Sequence, residues 1–118
     1  MKYLVVDDSK LARLTLIKSL KEHVDESQII QASNGADALE IAKENKLSIV
    51  FLDLTMPVMD GYEALPKILK INPKVKVVVV SADIQEKAQQ KVIGLGAELH
   101  IQKPINSTKM KEILEILG

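Results

Sequence analysis

The side chains best suited to chemistry in this chain each follow a short apolar run. Asp7 and Asp8 follow residues 3–6, Asp53 and Thr55 follow 49–52, Ser81 and Asp83 follow 75–80, and Lys103 follows 98–101. If those runs are parallel strands, every one of these residues lies at the carboxyl edge of the sheet, where open α/β folds bind their ligands. Ionised carboxylates crowded at one edge repel, and one of their pKa values rises unless a cation compensates. A hard cation with oxygen ligands removes the difficulty. Two or three carboxylates plus waters suit Mg²⁺, which also pairs with phosphate. Lys103 adds a point positive charge fit for a phosphoryl oxygen, and Ser81 adds a hydroxyl donor. The set has the makings of a phosphoryl-transfer site, in which positioning and charge neutralisation carry most of the catalysis. A carboxylate can itself be the nucleophile, giving an aspartyl phosphate.

The elements that must position these residues are legible as an alternation. Short β-type runs at 3–6, 28–32, 49–52, 75–80 and 98–101 alternate with amphipathic stretches. The run 75–80 is filled with β-branched residues and fits no helical period. Ser9 is placed to cap the first helix, whose stripe reads Leu11, Leu14, Ile17 and Leu20. Asn34-Gly35 marks a turn, and Ala36, Leu39 and Ile41-Ala42 mark the second helix. A third helix follows Asp60-Gly61 and runs to about Lys70. Pro66 falls inside it, so that helix is expected to start late or to kink. Ile84, Ala88, Val92 and Ile93 mark the fourth helix, and Met110, Ile113, Leu114 and Leu117 the fifth. Five β–α pairs with continuous apolar strands predict an α/β protein, a doubly wound parallel sheet of five strands covered on both faces.

Composition narrows the field. The 118 residues make one domain's length. Sixteen basic residues balance sixteen acidic ones and only three residues are aromatic, so neither a nucleic-acid-binding basic patch nor a base-stacking platform is expected. The absence of cysteine excludes disulfides, thiolate metal sites and cysteine nucleophiles. No apolar run approaches the ~20 residues that span a bilayer. Asp7 and Asp8 interrupt the N-terminus before a signal-peptide core could form, so a cytoplasmic protein with no membrane partner is expected.

Val5-Val6-Asp7-Asp8-Ser9, the run Phe51-Leu52-Asp53-Leu54-Thr55-Met56-Pro57-Val58-Met59-Asp60-Gly61, then Val80-Ser81-Ala82 and Lys103-Pro104 together resemble the receiver domain of two-component response regulators. The resemblance covers essentially the whole chain. By analogy with the family's chemotaxis member it implies a flavodoxin-like (CheY-like) fold with strand order 2-1-3-4-5. It implies Asp53 as phosphoacceptor, Asp8 as a direct Mg²⁺ ligand, Asp7 as a second ligand or one acting through water, and the backbone carbonyl of Thr55 as a further ligand. Lys103 is then expected to pair with Asp53 at rest and with the phosphoryl group afterwards, beside a cis peptide to Pro104. The resemblance further implies that Ser81 donates its hydroxyl to the phosphoryl group and moves the loop that follows, and that Thr55 and Asp83 flank the path of the hydrolytic water and tune phosphate lifetime. His100 departs from the family's usual Tyr or Phe at a switch position, and its charge adds pH sensitivity.

The expected function is a stand-alone response regulator, one receiver domain over residues 1–118 with no output domain. A sensor histidine kinase or phosphotransfer protein supplies the phosphoryl group. A protein partner reads the surface of helix four, strand five and helix five, as in chemotaxis, or the chain serves as a sink or intermediate in a phosphorelay. Self-phosphorylation and self-dephosphorylation apart, it is not an enzyme. Two other readings fit less well. A phosphatase with an aspartyl nucleophile needs an acid two residues further on, where this chain has Thr55. A flavin or nucleotide binder needs a glycine- and hydroxyl-rich loop after the first strand, where this chain has Asp7-Asp8.

Overall fold

The computed structural model describes all 118 residues, Met1–Gly118. In chain order the elements are β1 (Tyr3–Val6), α1 (Lys10–Leu20), a 3₁₀ turn (Glu26–Gln28), β2 (Ile29–Ala32), α2 (Gly35–Glu44), β3 (Ile49–Leu52), α3 (Gly61–Ile71), β4 (Lys76–Ser81), α4 (Glu86–Gly94), β5 (Leu99–Gln102) and α5 (Ser107–Leu117). The strands are all parallel, in the order β2-β1-β3-β4-β5. This is the predicted doubly wound sheet.

Strand side chains alternate between two cores, as the two-residue pleat requires. Leu4, Val6, Val50, Leu52, Val77 and Val79 pack beneath α2, α3 and α4, where Ala38, Ala64, Leu65, Ile68 and Val92 meet them. Tyr3, Val5, Ile49, Phe51, Val78 and Val80 pack against Leu16, Ile17 and Leu20 of α1 and Met110 and Ile113 of α5. Each fully buried aliphatic or aromatic side chain contributes roughly 1.5–3 kcal/mol by leaving water, and these two layers hold the strand ends in place.

Several local expectations are corrected. Leu11 and Leu14 are exposed, at 76% and 48%. The buried face of α1 is Leu16, Ile17, Ser19 and Leu20, because the first turns of α1 begin at the edge of the sheet with no core beneath them. Asn34-Gly35 is a helix start rather than a free turn, since the Asn34 side chain accepts from the Asp37 N–H and caps α2. Helix α3 begins at Gly61, capped by Asp60, and runs through Pro66 without a break. It does not start late, and Pro66 lies on its exposed face. Ile84 lies before α4, and Ile93 is half exposed. No helix is long and apolar enough to cross a membrane.

Candidate functional site

Strand register explains why the reactive residues meet. Val6 is paired with Leu52, so Asp7 and Asp53 occupy the next, adjacent positions on β1 and β3. The ladder continues through both, with the Asp7 N–H donating to Ala32 O and the Asp53 N–H to Val6 O. At the end of β5 the Lys103 N–H donates to Ser81 O. Asp7 shares its parity with Val5, Asp53 with Phe51, and Lys103 with Ile101, so all three side chains emerge on the α1/α5 side of the sheet. Ser81 shares parity with Val77 and Val79, and His100 is paired with Val79. Those two belong to the other side.

The Lys103 ammonium lies 2.6 Å from Asp7 Oδ2 and 3.3 Å from Asp53 Oδ1. The nearer partner is Asp7, not the Asp53 expected from the sequence, although both carboxylates share the cation. The Asp7 carboxylate is fully engaged, because its Oδ1 accepts the Ser9 N–H at 2.9 Å. Ser9 in turn caps α1 by accepting from the Ala12 N–H. Asp8 is exposed and enters no ion pair or side-chain hydrogen bond. Oxygen atoms of Asp7, Asp8 and Asp53 all lie within 4.8 Å of one another. Two buried carboxylates beside an uncommitted third make a hard-oxygen donor set that could hold a divalent metal ion.

Electrostatics follow from this geometry. Burial, and next the charge of Asp7, push the Asp53 carboxyl above its ordinary range, against the pull of Lys103. Burial alone would lower Lys103. Its hydrogen bond to Asp7 and the charges of Asp53 and Asp7 outweigh that and raise it. The peptide between Lys103 and Pro104 is cis, as the resemblance implies.

Glycine is required where α3 meets the site. The Gly61 N–H donates to Leu54 O at 2.9 Å. A methyl group on Gly61 would overlap the carbonyl oxygen of Asp53 and stand 2.8 Å from Leu54 Cα. Between these anchors the loop reverses tightly at Val58, which adopts φ 68° while the Met59 N–H donates to Pro57 O at 2.7 Å. Thr55, on this loop, has an exposed side chain.

Ser81 is buried at the end of β4, and its hydroxyl oxygen accepts the Asp83 N–H at 3.0 Å. Asp83 Oδ1 accepts the Gln85 N–H. Ser81 therefore does not cap α4, which starts after Gln85 with no side-chain cap. The two bonds staple the β4–α4 loop, and Ser81 keeps its own proton to donate. His100 is half-buried, yet neither ring nitrogen reaches solvent or a hydrogen-bond partner. Burial lowers its pKa, and a distant approach to the Asp83 backbone, too long for a well-formed hydrogen bond, together with the Asp83 charge, offsets part of that.

Sequence reasoning missed Arg13. Its guanidinium donates to the Asp7 carbonyl at 2.7 Å and to Gln31 Oε1 at 3.1 Å. The available signal was an arginine four residues beyond the Ser9 cap, one turn from the acidic pair. A cleft of about 250 Å³ also opens beside Lys103, between Leu11, Ala12 and Thr15 of α1 and Pro104-Ile105.

The family model of the response regulator receiver domain matches residues 3–115. The chain is 39% identical over 115 residues to the chemotaxis protein CheY of Listeria monocytogenes, an alignment covering 98% of this chain and 96% of that one. It is 36% identical over 119 residues to protein CcdB of Bacillus subtilis, with the same coverage. Among solved structures, the Vibrio cholerae chemotaxis protein CheY4 superposes with a TM-score of 0.89 at 23% identity, over 99% of this chain and 98% of that one. That likeness bears on the fold. Taken with the aspartates and lysine gathered at the strand ends, the family match places this chain among the response regulator receiver domains.

Proposed function

We propose that this receiver accepts a phosphoryl group on Asp53 from a phosphohistidine donor and signals the change to a protein partner. One observation carries the reading. Asp53 is a carboxylate only 7% exposed, held between the Lys103 ammonium and the carboxylates of Asp7 and Asp8. Burying such a group is costly unless it is paired or used.

Asp8 and Asp53, with Asp7 and the Thr55 carbonyl, are the residues that would hold Mg²⁺. Bound there, the ion supplies positive charge that offsets the carboxylates and the incoming phosphoryl oxygens. The chain's own groups do the rest. An Asp53 oxygen bonds to phosphorus as the donor's N–P bond breaks, and the imidazole leaves with that electron pair. Lys103 transfers its contact from Asp53 to a phosphoryl oxygen while Asp7 keeps it in place. The Ser81 hydroxyl swings to donate to another oxygen, and the movement of its oxygen away from the Asp83 N–H releases the staple and rearranges the surface of α4, β5 and α5. This is a population shift driven by different contacts in the two states. Thr55 and Asp83, at the mouth of the site, govern access of the hydrolytic water, and His100 responds behind Ser81.

The exposed Leu11 and Leu14 and the cleft beside Lys103 supply an apolar margin against which a donor protein can rest. Alignment with the Listeria chemotaxis protein over nearly its whole length supports a chemotaxis-type output through a protein partner. Its role is signalling rather than turnover of a substrate. Incubation with acetyl phosphate and Mg²⁺ should add one phosphate to the wild-type chain and none to Asp53→Asn. Equal labelling of that variant removes Asp53 from its role.

A further inference from the structure

We infer that Arg13 is a positioning residue for the metal site: it clamps the peptide that carries Asp8. This rests on the reading of Asp7, Asp8 and Asp53 as a Mg²⁺ centre.

The ladder ends at Asp7, whose N–H is the last of this segment to pair with β2, at Ala32 O. Beyond that point Asp8 has no side-chain partner of its own. Its direction is set by the Asp7–Asp8 peptide plane, and the carbonyl of that peptide accepts from Arg13 at 2.7 Å. A charge-assisted bond of this length is among the stronger hydrogen bonds a protein makes. The other arm of the guanidinium reaches Gln31 Oε1 on β2, so the clamp is braced against the sheet. The helix that carries Arg13 is anchored to the same turn. The Arg13 N–H donates to Ser9 O, and the Ser9 N–H donates to Asp7 Oδ1. Backbone, helix cap and guanidinium thus close a ring around the turn that presents Asp8.

Arg13 also places a positive charge beside an acidic cluster, and that charge by itself opposes cation binding. The two roles have opposite signs. If Arg13 acts only as a charge, its removal tightens Mg²⁺ binding. If it positions Asp8, removal weakens binding despite the gain in negative potential. Arg13→Lys separates the two cleanly, because lysine keeps the charge and loses the planar fork that spans two acceptors.

The test is calorimetric titration of the full chain with Mg²⁺, for wild type, Arg13→Lys, Arg13→Ala and Gln31→Ala. Partners that orient metal ligands typically govern about 10–100-fold in affinity. The expected result is about tenfold weaker Mg²⁺ binding by Arg13→Lys and a smaller loss for Gln31→Ala, whose exposed side chain leaves the fold intact. In acetyl phosphate labelling, the loss should lie in the half-saturating Mg²⁺ concentration rather than in the plateau rate. Wild-type affinity in Arg13→Lys, or tighter binding by Arg13→Ala, overturns the inference. Absence of Mg²⁺ uptake by the wild-type chain overturns the metal reading itself, a result distinct from either.

Discussion

The Lys103 ammonium lies closer to Asp7, at 2.6 Å, than to Asp53, at 3.3 Å. The short bond anchors the cation to a residue that is already tied to the backbone of α1. Asp53 is left with the longer contact, the one that the proposed phosphoryl group would displace. On that proposal the lysine is prepositioned for the product without being committed to Asp53 at rest.

Asp8 is the carboxylate with no compensating partner. Removing its charge relieves repulsion within the cluster when no metal is bound. In the presence of a chelator, Asp8→Asn should melt about 3–6 °C above wild type, the shift that roughly 1 kcal/mol produces in a domain of this size. Added Mg²⁺ should raise the melting point of wild type and leave that of the variant unchanged. A preserved Mg²⁺ response would remove Asp8 from the ligand set.

Asp53 titrates above its ordinary range, so the folded chain holds that proton more tightly than the unfolded chain does. Its favourable contribution is complete below the unfolded carboxylate value of about 3.9 and is lost as pH rises through the folded value. Chelated Asp53→Asn should therefore be more stable than wild type at pH 7, with the difference closing toward pH 4. Melting curves across this range provide the check, and a gap independent of pH would contradict it.

At His100 the sign is opposite. Burial depresses its pKa, so its contribution is present above the ordinary imidazole value of about 6.5 and is lost as pH falls through the folded value. Wild type should lose stability from pH 7 to 5 more steeply than His100→Phe. The variant should also be the more stable protein at pH 7 in urea unfolding, because ring nitrogens sealed from solvent and without a well-formed hydrogen bond are removed. Parallel pH profiles for the two proteins would contradict this account.

Gly61→Ala should destabilise the fold by about 2–3 kcal/mol, the scale of overpacking against backbone that has no room to yield. Because the obstructing atom is the Asp53 carbonyl oxygen, labelling at Asp53 should slow as well. Urea titration measures the first effect and acetyl phosphate labelling the second. A neutral substitution would show that α3 can back away from β3 freely.

Much of this was legible in the residues. β-branched and apolar runs marked the strands, and the acids, hydroxyls and lysine at their ends marked the edge where ligands bind. The pleat then did the sorting, which is why Asp7, Asp53 and Lys103 share one side. Other features were hidden because they depend on distance rather than pattern. No spacing rule tells which carboxylate a lysine will favour, and Lys103 reaches past β3, which carries Asp53, to make its shorter contact with Asp7 at the end of β1. Arg13 was easy to pass over because it binds a backbone carbonyl, so that only its spacing from the Ser9 cap points to it. The threefold spacing of Leu11 and Leu14 suggested burial, but the core begins only at Leu16. Pro66 suggested a broken helix, yet it sits on the exposed face of α3, where its ring disturbs no packing.

The seal between Gly61 and Leu54 divides the molecule's tolerance to change. Residues 55–60 form the loop above that seal and are themselves pinned at three points: Met56 is buried in the core, the Met59 carbonyl accepts the Gly35 N–H, and Asp60 caps α3. New side chains therefore fit at the exposed Thr55, Pro57 and Val58. That freedom does not extend inward past the seal, where a single added carbon already collides with the main chain of Asp53.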